Sequence, residues 1–136
     1  MTEACNSDST GVSRFSEWDS DTLIAYIVGN HHAYVRRALP VISGHLQQLA
    51  SHSTRHSELL EIARIFDGVS AEMLSHMERE EAILFPFILA VEQAARSGAA
   101  APPAPFGSID NPLRVMEREH ESTGVAMARI RELSGG

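Results

Sequence analysis

Apolar residues recur in three- and four-residue steps along most of this chain, the spacing of a helix that buries one face. A first run places them at Ile24, Val28, Val35, Leu39, Ile42, Leu46 and Leu49. It opens at Trp18, Asp19, Ser20 and Asp21, whose short acceptor side chains suit a helix N-terminus. Pro40 lies inside the run and should bend it, because proline lacks an N–H and crowds the preceding turn. His52, Ser53, Thr54 and Arg55 form a polar break. A second run over residues 56–96 carries Leu59, Ile62, Phe66, Val69, Met73, Met77, Ile83, Leu84 and Phe87, with Pro86 a candidate kink near its end. Residues 98–109 are rich in Gly and Pro and read as a linker. Asn111 and Pro112 then open a third helix that continues to about Leu133. No strand pattern and no repeat of fixed period interrupts this order. Three long amphipathic helices on short connections predict an all-α, up-down bundle.

Composition narrows the picture. With 136 residues, 43% of them hydrophobic, the chain can bury one core. The bundle is expected over residues 18–134, preceded by a flexible lead-in, 1–17, rich in Ser, Asp and Thr. A formal charge of −7 argues against a nucleic-acid partner, whose phosphates demand clustered Lys and Arg. The apolar stretches fall short of the roughly 20 residues needed to cross a bilayer. The N-terminus lacks a basic start followed by an apolar run, so no secretory signal is read. Cys5 is the single cysteine, which excludes an internal disulfide and suits a reducing cytoplasm.

The chemistry concentrates in the histidines, seven in all. Positions three, four and seven apart share a helix face, so His76 and Glu80 lie in one stripe with Val69, Met73, Ile83 and Phe87. His120 lies with Leu113, Met116 and Met127 on what should be the buried stripe of the third helix, and His32 borders the stripe of Val28, Val35 and Leu39. If the first turn centres near residue 53, His32 and His76 each lie about 22 residues from it, or roughly 32 Å at about 1.5 Å per residue. They then share one height in the bundle, and the linker is long enough to bring His120 to the same level. Buried imidazoles and a buried carboxylate are costly unless paired or bound. They either hydrogen-bond one another and fix helix register, or they bind a metal, and the convergence of four favours metal. Two histidines with one carboxylate are a common non-haem iron set, with zinc open on ligand type alone. Glu-x-x-His occurs once, at Glu117–His120, and Glu117 reads as solvated, as do Glu72, Glu78 and Glu81. His31 reads as a surface residue, and His45, His52 and His56 as exposed groups near the first turn. Zinc-protease, phosphate-loop and nucleophile-elbow motifs are absent. No acid–base pair points to a classical enzyme, and a metal-binding protein is the better reading.

Three stretches carry a family likeness: HHAYVRRALP around His32, LSHMEREEAILFP around His76 and Glu80, and NPLRVMEREHESTG around His120. Over residues 18–134 the chain resembles the hemerythrin-like domain of the iron–sulfur cluster repair family, di-iron proteins linked to nitrosative and oxidative stress. The resemblance implies metal ligands at His32, His76, Glu80 and His120, with Glu80 the bridging carboxylate and Glu119 close by without being a ligand. It further implies a non-haem iron protein acting in repair of damaged iron–sulfur clusters, or an oxygen- or nitric-oxide-binding module. A metal-free structural bundle is the remaining alternative. The family's N-terminal cysteine pair and its fourth helix, with a second H-x-x-x-E, have no counterpart in this sequence, which leaves four of six expected ligands. Three outcomes follow: a single iron, a metal-poor remnant, or a homodimer that completes a pair of irons.

Overall fold

The computed structural model describes residues 15–53 and 56–136. Cys5, most of the expected lead-in, and Thr54 and Arg55 of the polar break lie outside the described residues. The fold is three helical rods. In the first, α1 (Ser20–Tyr26) passes through a π-helical turn (Ile27–His32) into α2 (Ala33–His52). In the second, α3 (Ser57–Arg79) passes through another π turn (Glu80–Leu84) into α4 (Phe85–Ser97). The third is α5 (Asp110–Ser134). Among the described residues there is no strand, and the all-α, up-down reading holds.

Local chemistry sets the ends of the rods. The Asp19 carboxylate accepts a hydrogen bond from the Thr22 N–H at 2.9 Å, taking up a donor that the first helical turn leaves unpaired. At the far end of the second rod Gly98 adopts φ +69°, the left-handed conformation that costs glycine no Cβ clash. There the Ala99 N–H returns to the Ala94 carbonyl at 2.9 Å, closing a Schellman-type cap. The linker is pinned where Phe106 meets Phe87 edge to face, with ring centroids 5.1 Å apart. Pro40 stays within α2, whose helical run continues on both sides of it.

The rods pack antiparallel, α2 on α3 and α1 on α4, while α5 lies along α3. The second rod therefore has a neighbour on each side, and it supplies most of the core: Ile62, Ala63, Phe66, Val69, Met77, Leu84, Phe85 and Ala94, against Leu39 from the first rod and Met116 from the third. No helix is long and apolar enough to cross a membrane among the described residues.

The π turns alter the face that the sequence pattern predicts. The Ala33 N–H reaches the Val28 carbonyl, and the Phe85 N–H reaches that of Glu80, each five residues back. A wider turn absorbs one extra residue and shifts everything beyond it by one position. Ile83, expected in the buried stripe, is 45% exposed, while Leu84 is 6% and Phe85 8% exposed. Pro86 suits this wider turn. It has no N–H for the Ala82 carbonyl, and its ring would crowd that oxygen in a regular α-turn. The widened turn just before it relieves both, so the proline acts through a π turn upstream.

The third rod also departs from expectation. Met116 is buried, but Leu113 and Met127, on the same expected stripe, are 47% and 45% exposed, and His120 is exposed too. Ile42 and Leu49 of the first rod are likewise open to solvent. The physical cause is that α5 has one main neighbour. An apolar stripe at least about 100° wide needs two neighbours to cover it, and α5 packs chiefly against α3.

Candidate metal centre

Four of the polar groups singled out in the sequence meet midway along the second rod. His32 ends the first π turn, Glu80 begins the second, and His76 lies one helical turn before Glu80. The Glu80 carboxylate spans the two imidazoles: Oε2 lies 3.0 Å from His32 Nε2 and Oε1 3.3 Å from His76 Nε2. His32 and His76 are buried, and Phe85 stacks nearly parallel to the His32 ring at 5.9 Å. His120 comes across from α5 with its ring centroid 4.9 Å from that of His76.

The outward-facing nitrogens are also occupied. His32 Nδ1 lies 2.7 Å from Glu81 Oε1, which accepts a further hydrogen bond from Arg36 at 2.8 Å. His76 Nδ1 lies 2.6 Å from Glu119 Oε2, and Arg79 donates to the other oxygen of Glu119. The Arg36 hydrogen bond, followed by that of His32, holds the Glu81 carboxyl below the usual glutamate range. For Glu119 burial pushes upward, but the His76 and Arg79 contacts together outweigh it and keep the carboxyl low. Both carboxylates are thus anions at neutral pH.

This donor set fits a cation. A neutral imidazole has one N–H and one lone pair. When the N–H is at Nδ1, toward Glu81 or Glu119, the Nε2 lone pair of each histidine faces a lone pair of Glu80. Two lone pairs at about 3 Å repel unless a proton or a metal ion lies between them. The spacing itself suits coordination: with bonds of about 2.0–2.2 Å, adjacent ligands of one metal ion stand about 3.0–3.4 Å apart. Each edge joins only two donors, however, and among the described residues no three His, Cys, Asp or Glu side chains close around one point. Beside His76 a cavity of about 380 Å³ opens along α5, lined by Met73, Glu119, His120, Thr123 and Gly124.

The structure brings His32, His76 and Glu80 into direct contact and sets His120 against His76 at their margin, so the single level inferred from residue counting is where they meet. His31 is exposed and packs against Tyr26, and His45, His52 and His56 are exposed near the first turn. Glu81 is a correction: read as part of a solvated face, it points inward to His32 and Arg36. Glu80 and Glu81, adjacent at the start of the π turn, both reach the first rod. Glu119 lies at the site, as the resemblance implied, through a contact that helix periodicity does not reveal.

The family model described as Hemerythrin HHE cation binding domain matches residues 23–136. The iron–sulfur cluster repair protein YtfE of Edwardsiella ictaluri is 32% identical over 115 residues, covering 84% of this chain and 46% of the relative. The iron–sulfur cluster repair protein DnrN of Neisseria gonorrhoeae is 39% identical over 75 residues, 55% of this chain and 40% of that protein. A YtfE of Pectobacterium atrosepticum is 30% identical over 115 residues, again 84% of this chain and 46% of the relative. The chain spans less than half the length of these curated relatives. No solved structure matches it.

Proposed function

The chain belongs to the hemerythrin HHE cation-binding family, and from that premise we propose that it binds non-haem iron through His32, His76, Glu80 and His120 in the repair of iron–sulfur clusters damaged by nitrosative or oxidative stress. The observation that carries this reading is the Glu80 carboxylate spanning the Nε2 atoms of two buried histidines. His32, His76 and Glu80 would hold the iron between the rods, with His120 at their margin. Bound iron would supply redox chemistry and open positions for nitric oxide or oxygen. The protein's own part is to hold Glu80 between the rods and to shield His32 with the ring of Phe85. The cavity along α5 would admit a small molecule to the His120 side. In this reading the iron is delivered to a damaged iron–sulfur protein in the cytoplasm.

A second copy of the chain completes the ligand set in this reading. Two copies of His32, His76 and Glu80 give four histidines and two glutamates. The exposed Leu113 and Met127, flanking His120 on the open side, support it. The test is iron per chain by elemental analysis of anaerobically purified protein, with the solution mass measured on the same sample. Two irons in a dimer are the expected result. A strict monomer that holds two irons would remove the second copy from the site. No iron, and none taken up on reconstitution, would leave a bundle whose histidines serve only hydrogen bonding.

A further inference from the structure

We infer that Glu81 and Glu119 are positioning residues of the iron site, each locking a histidine of the preceding rod so that Nδ1 carries the proton and Nε2 is presented to Glu80. The inference rests on the iron-binding reading above and concerns how the ligands are aimed. The same arrangement is built twice from different parts of the chain. On the first rod His32 and Arg36 lie one turn apart, and Glu81 reaches them both from the second rod. On the second rod His76 and Arg79 lie one turn apart, and Glu119 reaches both from the third.

Each part has a separate task. A carboxylate can only accept, so with a cation between Nε2 and Glu80 a neutral imidazole carries its proton at Nδ1, toward Glu81 or Glu119. Arginine, charged at any ordinary pH, keeps the carboxylate ionised and fixes its plane. The neighbouring rod supplies the carboxylate, so the aim of the imidazole depends on the packing of two rods. A carboxylate behind a ligating imidazole also raises its basicity. An Arg–Glu bridge that merely joined rods would not require the histidine nitrogen at 2.6–2.7 Å on the same carboxylate in both places. His120 has no such partner: among the described residues it makes no hydrogen bond, only the ring contact with His76. The aiming therefore covers the two histidines that touch Glu80 and not the third.

Zinc, being diamagnetic, allows the full chain to be tested by long-range proton–nitrogen NMR of labelled histidines together with competition titration of zinc affinity. In the zinc-loaded protein His32 and His76 are expected to be protonated at Nδ1 and metal-bound at Nε2. Glu81→Ala and Glu119→Ala should each weaken zinc binding about 10- to 100-fold. Glu81→Gln and Glu119→Gln, which still accept from Nδ1, should retain most of the affinity and the same tautomer. Alanine variants that melt lower without metal yet bind zinc like the parent would reduce both glutamates to rod-to-rod clamps. Should the alanine variants fail to fold, the glutamine variants decide: Nδ1–H with zinc on Nε2 supports the inference, and zinc on Nδ1 overturns it. A parent chain that takes up neither zinc nor iron would overturn the iron reading itself, whereas a parent that binds and variants that match it overturn only the positioning role.

Discussion

Glu80 is the residue on which the centre turns, because its two oxygens each face a different buried imidazole. Glu80→Ala removes both contacts and leaves two Nε2 atoms with nothing between them. The expected outcome is loss of stoichiometric iron with helical content preserved, read by elemental analysis and far-UV circular dichroism. Iron retained at the parental level would take Glu80 out of the site. At this scale the sequence was informative where chemistry and periodicity agreed: His76 and Glu80, four apart in an apolar stripe, could be singled out without coordinates. It was uninformative for Glu81, which periodicity alone places among solvated glutamates. The difference lies in tertiary packing, which sets Glu81 against His32 and Arg36 of the first rod.

Among the elements, the second π turn has the clearest consequence. Deleting Ala82 would remove the extra residue of the turn and rotate Leu84 and Phe85 by about 100° out of the core. Such a variant should melt well below the parent and lose iron together with the His32–Glu81 contact; unchanged melting and iron content would show that the extra residue has no structural role. Within the core of α3, Phe66→Ala should cost about 3–5 kcal/mol in denaturant unfolding, the range for an emptied aromatic site. The start of α1 has its own pH signature. The hydrogen bonds from Thr22 lower the Asp19 pKa in the folded state, so its contribution is fully present above the unfolded aspartate value, about pH 4, and is lost as pH falls through the lower folded value. The melting-temperature gap between the parent and Asp19→Ala should therefore shrink below about pH 4. A gap that persists unchanged at pH 2 would mean that the charged cap contributes nothing.

For the whole molecule, the decisive feature is a second rod flanked on both sides by rods that lack a further neighbour of their own. The open side runs past Leu113, His120 and Met127 of α5. If a second copy covers it, Leu113→Glu and Met127→Glu should lower the solution mass to that of one chain and reduce bound iron, while the metal-free protein keeps its helical content. A parental mass in both variants would place any self-association elsewhere.

The order, type and approximate ends of the three rods follow from the sequence alone, because helical periodicity, caps and proline positions are local properties encoded within a few residues. The same holds for the common level of His32 and His76, since a constant rise per residue turns residue count into height. Which residues of a rod face inward beyond a π turn was decided only in the fold, because one widened turn re-aims everything after it. The exposure of the α5 stripe was likewise decided by tertiary packing, since an amphipathic face records what could be buried and only a neighbouring rod determines what is. The pairing of Glu81 with His32 and of Glu119 with His76 joins residues 49 and 43 positions apart, a distance over which no local pattern carries information.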